Sequence, residues 1–210
     1  MKLKHLEMAL QRLDGFPHPR AVLEQYQTPA PLAARLLYHA LMKGDIERKS
    51  VFDLGCGTGI LAVGAAFLGA AKVTGIEIDQ SAVNVAEANA TLTGTDVGFI
   101  VADVRDAALP GRIGTCDTVI MNPPFGAQQE HADRPFIDLA LKTATVTYGI
   151  FNAGSTQFIK TYIEGRAEIS EKVGGVFPLR RTFSFHTKDQ KDIEVEILRL
   201  TSTRYMSPGA

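Results

Sequence analysis

The stretch SVFDLGCGTG, residues 50–59, decides the fold predicted for this chain. The apolar run from Ser50 to Leu54 is typical of a short buried strand, and small residues after Gly59 favour a helix. Between them, Gly55, Gly57 and Gly59 form a turn that lets the backbone approach a ligand closely. The Gly-x-Gly-x-Gly spacing differs from the Gly-x-Gly-x-x-Gly of dinucleotide sites. We therefore predict a strand–turn–helix unit with a ligand at the end of the strand.

Strands and helices continue to alternate after this turn, and the last part of the chain has a hairpin pattern. Such an order predicts an α/β fold with a doubly wound, mostly parallel sheet and an antiparallel terminal hairpin. No internal repeat is visible, so we expect one domain over 1–210, in which a helical segment, 1–49, packs on 50–210. We predict strands over 50–54, 72–78, 97–102 and 115–121, helices over 1–16, 29–43, 59–68, 81–91, 136–148 and 153–165, and hairpin strands over 181–185 and 193–200.

Composition favours a cytoplasmic protein with a sizeable core. The chain has 210 residues, of which 45% are hydrophobic, and it has no apolar run long enough to span a membrane. Its two cysteines suggest neither a disulfide framework nor a metal site. Net charge is -1, with 8 Lys/Arg against 5 Asp/Glu over 1–50, 5 against 11 over 51–150, and 9 against 7 over 151–210. Any polyanion affinity should come from the two ends, although ordinary surface charge explains the same pattern.

Acidic side chains end three successive predicted strands. Asp53 could attract an amino group or a cation, which suits a cofactor with an α-amino acid and a sulfonium and not a pyrophosphate. Glu77 or Asp79 could accept both hydroxyls of a ribose, and we favour Glu77 because Asp79 can cap the next helix. Asp103 could accept from an adenine amino group. The alternative is a tight glycine turn with capping acids and no ligand, but clustered carboxylates are costly without a partner.

A second motif, Asn122-Pro123-Pro124-Phe125, ends the strand predicted over 115–121. The Asn122 side-chain oxygen and the Pro123 carbonyl could accept the two N–H bonds of a planar amine and aim its lone pair at an incoming methyl group. Two prolines, Pro123 and Pro124, stiffen the turn, and Phe125 offers a ring for stacking an extruded base. The alternative is a rigid turn without a ligand. No metal is expected.

The glycine turn together with Asn-Pro-Pro-Phe resembles the class I S-adenosylmethionine-dependent methyltransferases that modify amino groups. Further stretches are similar to the methyltransferase-like family whose eukaryotic member methylates an adenine N6 in small-subunit ribosomal RNA. The resemblance covers nearly the whole chain and implies a compact, archaeal-type relative with a Rossmann-like, seven-stranded sheet. It is carried by residues 23–29 (LEQYQTP), 53–57 (DLGCG), 117–126 (DTVIMNPPFG) and 192–196 (DIEVE).

The resemblance also implies site residues. Gln25 and Thr28 would close over S-adenosylmethionine, and Glu77 stands where the family usually has aspartate. The turn glycines Gly55, Gly57 and Gly59 with Asp53, Thr58 and Ile60 would line the amino-acid and ribose portions of the cofactor. Asp103 and Val104 would contact its adenine, and Asn122, Pro123, Pro124 and Phe125 would hold the target base.

The function implied is direct methyl transfer to N6 of an extruded adenine in RNA, most simply small-subunit ribosomal RNA. DNA adenine or cytosine-N4 methylation, protein-glutamine methylation and an inactive cofactor-binding scaffold are the alternatives. The eukaryotic member works with a small zinc-binding activator subunit, which would add its backbone to a sheet edge such as 97–102. Plausible phosphate contacts, which could equally be plain surface charge, are Arg180, Arg181, Lys188 and Lys191.

Overall fold

The computed structural model describes residues 1–126, 128–180 and 190–205. Helices and strands alternate through most of this range, as the sequence pattern predicts. In chain order the elements are α1 (Leu3–Leu10), α2 (Ala30–Met42), β1 (Ser50–Leu54), α3 (Ile60–Phe67), β2 (Lys72–Glu77), α4 (Gln80–Thr93), β3 (Gly98–Val101), α5 (Leu109–Ile113), β4 (Cys116–Met121), α6 (Arg134–Thr143), β5 (Ala144–Asn152), α7 (Thr156–Tyr162), β6 (Ala167–Arg180) and β7 (Gln190–Ser202).

One sheet holds all seven described strands in the order β3-β2-β1-β4-β5-β7-β6. Strands β1 to β5 run parallel, whereas β7 is antiparallel to both of its neighbours. The predicted doubly wound, mostly parallel sheet with a terminal hairpin is therefore confirmed. The chain moves from β1 to β2 in one direction and returns to β4 on the other side of β1, so a crevice opens at the carboxyl ends of β1 and β4.

Helices cover both faces of the sheet. On one face, Leu10 of α1 and Leu37 of α2 pack against α3, where a Cβ on Gly64 would lie 2.3 Å from Leu37. On the other face, Leu139 of α6 and Ile159 of α7 form a second buried cluster with side chains of β1, β4 and β7. Within the described ranges, no helix is both long and apolar enough to cross a membrane.

The predicted secondary structure is wrong in several places. Helix α1 ends at Leu10 and not at residue 16, and helix α5 was not predicted. The helix predicted over 136–148 ends at Thr143, and the chain continues directly into β5 from Ala144. This strand is rich in β-branched and aromatic residues, which fit a pleated surface better than a helix. Strand β6 was not predicted at all, whereas the hairpin strand predicted over 181–185 lies outside the described residues.

The predicted edge strand is confirmed. Strand β3 pairs with β2 on one side only and forms one end of the sheet, while β6 forms the other end. Val101, the last residue of β3, is 42% exposed. The backbone of β3 thus has a side on which no strand of the described sheet pairs, as edge strands do.

Candidate active site

The glycine turn after β1 has the backbone geometry that requires glycine. Gly55, Gly57 and Gly59 have φ of 66°, 53° and 84°, in the left-handed region. Aromatic rings also close over the turn: a Cβ on Gly55 would lie 2.8 Å from Phe136, and one on Gly57 would lie 2.7 Å from Phe16. The turn is therefore fixed both by its own dihedral angles and by rings from distant parts of the chain.

Asp53 lies at the end of β1 and is 1% exposed. Its Oδ2 accepts a hydrogen bond of 2.9 Å from the backbone N–H of Ala62 in the first turn of α3. Its Oδ1 is buried and has no hydrogen-bond partner in the described chain. Burial, opposed by the Ala62 bond and reinforced by the charge of Glu77, raises the pKa of Asp53 to about 8. A positive group that approaches this carboxyl would favour its charged form.

Glu77, at the end of β2, binds the backbone around it. Its Oε2 accepts from Gly57 N–H at 2.9 Å, and its Oε1 accepts from Ile78 and Asp79 N–H at 2.9 and 3.0 Å. Burial raises the pKa of Glu77 although all three bonds favour the charged form. A carboxylate offers about four acceptor positions, so capacity for one further donor remains.

Asp79 caps helix α4, as the sequence predicted. Its Oδ1 accepts from the backbone N–H and the hydroxyl of Ser81 at 3.0 and 2.8 Å. Its Oδ2 accepts from Gln25 Nε2 at 2.8 Å. Partial burial opposes these bonds, but the bonds from Gln25 and Ser81 outweigh it and lower the pKa of Asp79. Asp79 accepts three hydrogen bonds, as Glu77 does, but only Glu77 lines the cavity described below, which favours Glu77 as the carboxylate open to a ligand.

Asp103, beyond the end of β3, forms an ion pair with Arg105. The ion pair is bidentate, with Arg105 Nε 2.9 Å from Asp103 Oδ1 and Arg105 Nη2 2.6 Å from Asp103 Oδ2. The bond from Arg105 is the main cause of a lowered pKa for Asp103. An adenine amino group would therefore share this carboxylate with a neighbouring guanidinium.

A first cavity of about 210 Å³ occupies the crevice between β1 and β4. Most of the predicted site residues line it, although they come from the N-terminal segment, the glycine turn and the ends of four strands. Gly59, Pro123 and Phe125 do not line it, and Pro123 is buried. The predicted residues along its wall are Gln25, Thr28, Asp53, Gly55, Gly57, Thr58, Ile60, Glu77, Asp103, Val104, Asn122 and Pro124.

Asn122 follows β4 and faces this cavity. Its side-chain Nδ2 donates a hydrogen bond of 2.9 Å to Thr28 Oγ1. With the amide held in this orientation, Oδ1 is buried and has no hydrogen-bond partner among the described residues. Two unpartnered acceptors, Asp53 Oδ1 and Asn122 Oδ1, thus belong to residues of one cavity wall. Buried acceptors are rarely left without a donor, and each such case calls for a functional explanation.

Residues 20–28, here called the N-terminal arch, connect the two sides of the crevice. Besides the bonds of Gln25 and Thr28, Glu24 accepts from the backbone N–H of Phe125 and of Gln128, both at 2.8 Å. Glu24 has φ of 49°, a rare conformation for a residue with a side chain. The Glu24 contact was missed by sequence reasoning because it spans about a hundred residues and no local pattern indicates it.

Phe125 lies in a second cavity of about 220 Å³, which shares Pro124 and His131 with the first. The Phe125 ring meets Phe177 edge-on, with 5.6 Å between ring centroids. Its carbonyl accepts from Asn152 Nδ2 at 3.3 Å. The Asn-Pro-Pro-Phe motif therefore forms the partition between the two cavities, with Asn122 on one side and Phe125 on the other.

Over the residues that the structure describes, no group of three or more His, Cys, Asp or Glu side chains is arranged to hold a metal ion. The cavity wall instead carries four acids, Glu24, Asp53, Glu77 and Asp103, and one guanidinium, that of Arg105. Such a wall favours a ligand with positive charge and disfavours one that carries phosphates.

Comparison with known proteins gives consistent matches. The profile of the methyltransferase small domain family matches residues 31–146. The protein MJ0284 of Methanocaldococcus jannaschii is 39% identical, over 95% of this chain and 94% of its own. The rRNA N(6)-adenosine-methyltransferase METTL5 of Danio rerio is 36% identical, over 97% of this chain and its full length. The crystal structure of PH1948 from Pyrococcus horikoshii superposes with a TM-score of 0.88 at 38% identity, covering 96% of this chain and 98% of that one.

Proposed function

This chain belongs to the methyltransferase family that includes the METTL5 rRNA N(6)-adenosine-methyltransferases, and we propose that it methylates N6 of an adenosine in ribosomal RNA. We further propose that the methyl donor is S-adenosylmethionine and that the RNA is that of the small subunit. The observation that carries the proposal is the unpartnered, buried Oδ1 of Asn122 in a cavity walled by acids.

The first cavity has the chemistry that S-adenosylmethionine needs. The orphaned Oδ1 of Asp53 suits the α-amino group of the cofactor, because an ammonium supplies both the missing donor and a compensating charge. Glu77 lines this cavity and retains acceptor capacity for a ribose hydroxyl, whereas Asp79 does not line it. Gln25 and Thr28 of the N-terminal arch lie over the same cavity.

The acceptor side would be organised by Asn122. Thr28 holds the amide nitrogen, so the oxygen is left to accept an N–H from a planar amine. The Pro123 carbonyl is the second proposed acceptor, and together the two would turn the amine lone pair toward the first cavity. Phe125 would stack the base from the second cavity, a contact worth about 1–3 kcal/mol per base in nucleic-acid systems.

The cofactor, when bound, would supply a methyl group attached to a sulfonium. The thioether that departs is a good leaving group and needs no protonation. The work left to the protein is alignment of a poor nucleophile and exclusion of water, which together can lower a barrier substantially. The N6–methyl bond would form as the carbon–sulfur bond breaks, which would leave a neutral thioether, and the methylated amine would then release one proton to solvent. Asn122 Oδ1, hydrogen-bonded to that amine, would stabilise the positive charge before the proton departs.

The test is to identify the methylated product. The purified chain, with and without a small zinc-binding activator subunit, is incubated with radiolabelled S-adenosylmethionine and with RNA, DNA or protein from unmodified cells. We expect label in ribosomal RNA, recovered as N6-methyladenosine after nuclease digestion. The arm with the activator is included because β3 offers a free sheet edge.

The substrates distinguish the outcomes. Label confined to the small-subunit RNA would support the full proposal, and label in the large-subunit RNA would overturn its finer part. Label in DNA, as N6-methyladenine or N4-methylcytosine, or in protein glutamine would overturn RNA as the substrate. Cofactor binding without turnover on any of them would point to an inactive scaffold.

A further inference from the structure

Three aromatic rings form a stack beside the second cavity, which is lined by two of them, His131 and Phe158. His131 and Phe158 are 6.0 Å apart with 14° between ring planes, and Phe158 and Tyr162 are 5.8 Å apart with 21° between them. We call these three residues the aromatic ladder. Small interplanar angles at such spacing are typical of offset stacking, which leaves part of each ring face uncovered.

Two guanidinium groups lie against the ladder. Arg134 is 5.2 Å from the ring centroids of both Phe158 and Tyr162, and Arg166 is 4.9 Å from that of Tyr162. Arg166 is neutralised by Asp138, at 2.6 Å. Arg134 makes no ion pair with any described carboxylate, and its Nε is buried without a hydrogen-bond partner in the described chain. Arg134 thus provides a positive charge that nearby protein groups leave available.

Acidic groups near the ladder do not cancel this charge. Asp133 interacts with Arg134 only at longer range, and burial raises its pKa. Glu130 is 3.2 Å from His131 Nε2, so it would pair with the ring only when that ring is protonated. Asp138 is already shared between Arg166 and the hydroxyl of Tyr162.

Core packing explains only one ring of the ladder, that of Tyr162, which packs against the second buried cluster. Helix α7 is anchored by Ile159, which is fully buried, whereas Phe158 is 37% exposed. His131 is exposed as well and has φ of 63°, a conformation that costs energy in a residue with a side chain. Exposed rings held in place beside a catalytic cavity, together with an unneutralised cation, are the combination that binds unpaired nucleotides.

The position of the ladder indicates which nucleotide it would meet. Phe158 and His131 line the second cavity together with Phe125, and His131 also borders the first cavity. If the target base is extruded beside Phe125, the next nucleotide of the RNA would therefore lie beside the rings of His131 and Phe158. The charge favours an RNA backbone over an apolar protein partner, because an unpaired guanidinium inside a protein contact would need a carboxylate.

On the premise of the proposed function, we propose that the aromatic ladder stacks the base of a nucleotide flanking the target adenosine in single-stranded RNA, while Arg134 contacts the adjoining phosphate. The ladder then acts as a second base-binding subsite, distinct from the one at Phe125. It would select RNA in which the target adenosine lies in an unpaired segment, because the ring face of a flanking base is covered when that base is stacked in a duplex.

The test compares binding of one defined probe by matched variants. The probe is a fluorescein-labelled RNA of one adenosine between two runs of five uridines, titrated by polarisation with S-adenosylhomocysteine present. We expect Phe158→Leu to raise the Kd for this RNA about tenfold and Phe158→Tyr, which restores a ring, to stay within about twofold. The matched control is Phe67→Leu on α3, far from the cavities, which should bind as the unchanged chain does.

A second set of probes locates the contact. In each, one uridine is replaced by an abasic nucleotide. At the contacted position the unchanged chain should lose about tenfold in affinity, with no further loss in Phe158→Leu. Arg134→Gln should reduce the slope of log Kd against log salt by about 0.7, the value for one phosphate contact on a single strand.

Failure of this inference can be told from failure of the proposed function. If Phe158→Leu binds every probe as the unchanged chain does, or loses affinity equally at all abasic positions, the ladder is not a base subsite. That result leaves methylation of RNA untouched. If the unchanged chain labels no RNA in the product assay, the proposed function fails and the ladder proposal fails with it.

Discussion

The two sides of the crevice are built in different ways. On the cofactor side the contacts are short in sequence: Asp53 binds Ala62 nine residues on, and Glu77 binds Gly57 twenty residues back. On the acceptor side they are long: Asn122 meets Thr28 across 94 residues, and Phe125 meets Glu24 across 101. Local motifs therefore build most of the cofactor side, whereas the acceptor side also requires the N-terminal arch to be in place.

Asn122→Ala should give the largest difference between the loss of kcat and the loss of cofactor affinity. This change removes the unpartnered acceptor and also the Thr28 contact, so we expect kcat to fall about a thousandfold, as when a preorganised catalytic hydrogen-bonding group is lost. Affinity for S-adenosylmethionine, measured by calorimetry, should stay within about twofold because Asp53 and Glu77 are unchanged. If affinity and rate fell together, Asn122 would belong to the cofactor side.

Asp53→Asn is the converse change on the cofactor side. It keeps the shape but removes the charge for the cofactor's amino group, so affinity should fall about 10- to 100-fold. The same change should stabilise the chain without cofactor above pH 7. The unfolded carboxyl ionises near 3.8 and the folded one at about 8, so the folded state retains a proton that the unfolded state has lost.

The sign of the pH effect follows from that difference. Stability contributed by protonated Asp53 is full below about pH 4 and is lost as pH rises to about 8, on the order of 6 kcal/mol in total. Urea unfolding of both proteins at pH 5 and pH 8 measures it. The gap in unfolding free energy between variant and unchanged chain should widen at pH 8, and an equal gap at both values would contradict the assignment.

Gly57→Ala should damage the glycine turn itself. A left-handed alanine costs about 1–2 kcal/mol, and its Cβ would lie 2.7 Å from the Phe16 ring. We expect a total of about 3 kcal/mol and a melting temperature lowered by roughly 6–12 °C. The control is Gly94→Ala, which also has positive φ but has nothing within 4 Å of the new Cβ. Equal losses in the two variants would show that Phe16 contributes nothing.

Glu24→Gln should have the smallest effect on kcat, and it tests whether the N-terminal arch serves the acceptor side alone. The amide retains one oxygen to accept from Phe125 or Gln128 but not both, so kcat should fall about fivefold through looser positioning of the motif. Cofactor affinity should not change measurably. The control is Glu7→Gln on α1, which is remote from both cavities. A loss of affinity larger than the loss of rate would show that Glu24 serves the cofactor side instead.

The same division explains what the sequence could predict. Strands β1 to β4 and helices α3 and α4 follow from apolar alternation and the glycine turn, and their bounds agree to within a few residues, whereas the short helix α5 was not predicted. The junction of α6 and β5 was missed because no glycine or proline marks the end of the helix at Thr143. The β-branched run over 143–147 was the available signal, and the apolar pattern of α6 obscured it.

Strand β6 was missed for a different reason. Gly174, Gly175 and Pro178 indicate a loop, yet proline and glycine are tolerated in an edge strand because one side needs no ladder hydrogen bonds. Among site residues, those carried by motifs were foreseen. The rings of Phe16 and Phe136, the ladder and Glu24 depend on contacts that form only in the folded chain, so a single sequence carries no spacing that indicates them.

The unpartnered oxygens of Asp53 and Asn122 have a consequence for the life of the protein in a cell. These two oxygens are brought to one cavity only in the folded chain, so a ligand bound to both would favour folding over unfolding. Any ligand that brings donors to both oxygens shifts that balance by mass action. Proteases act on the opened chain, so the abundance of this protein should follow the supply of that ligand as well as its own synthesis.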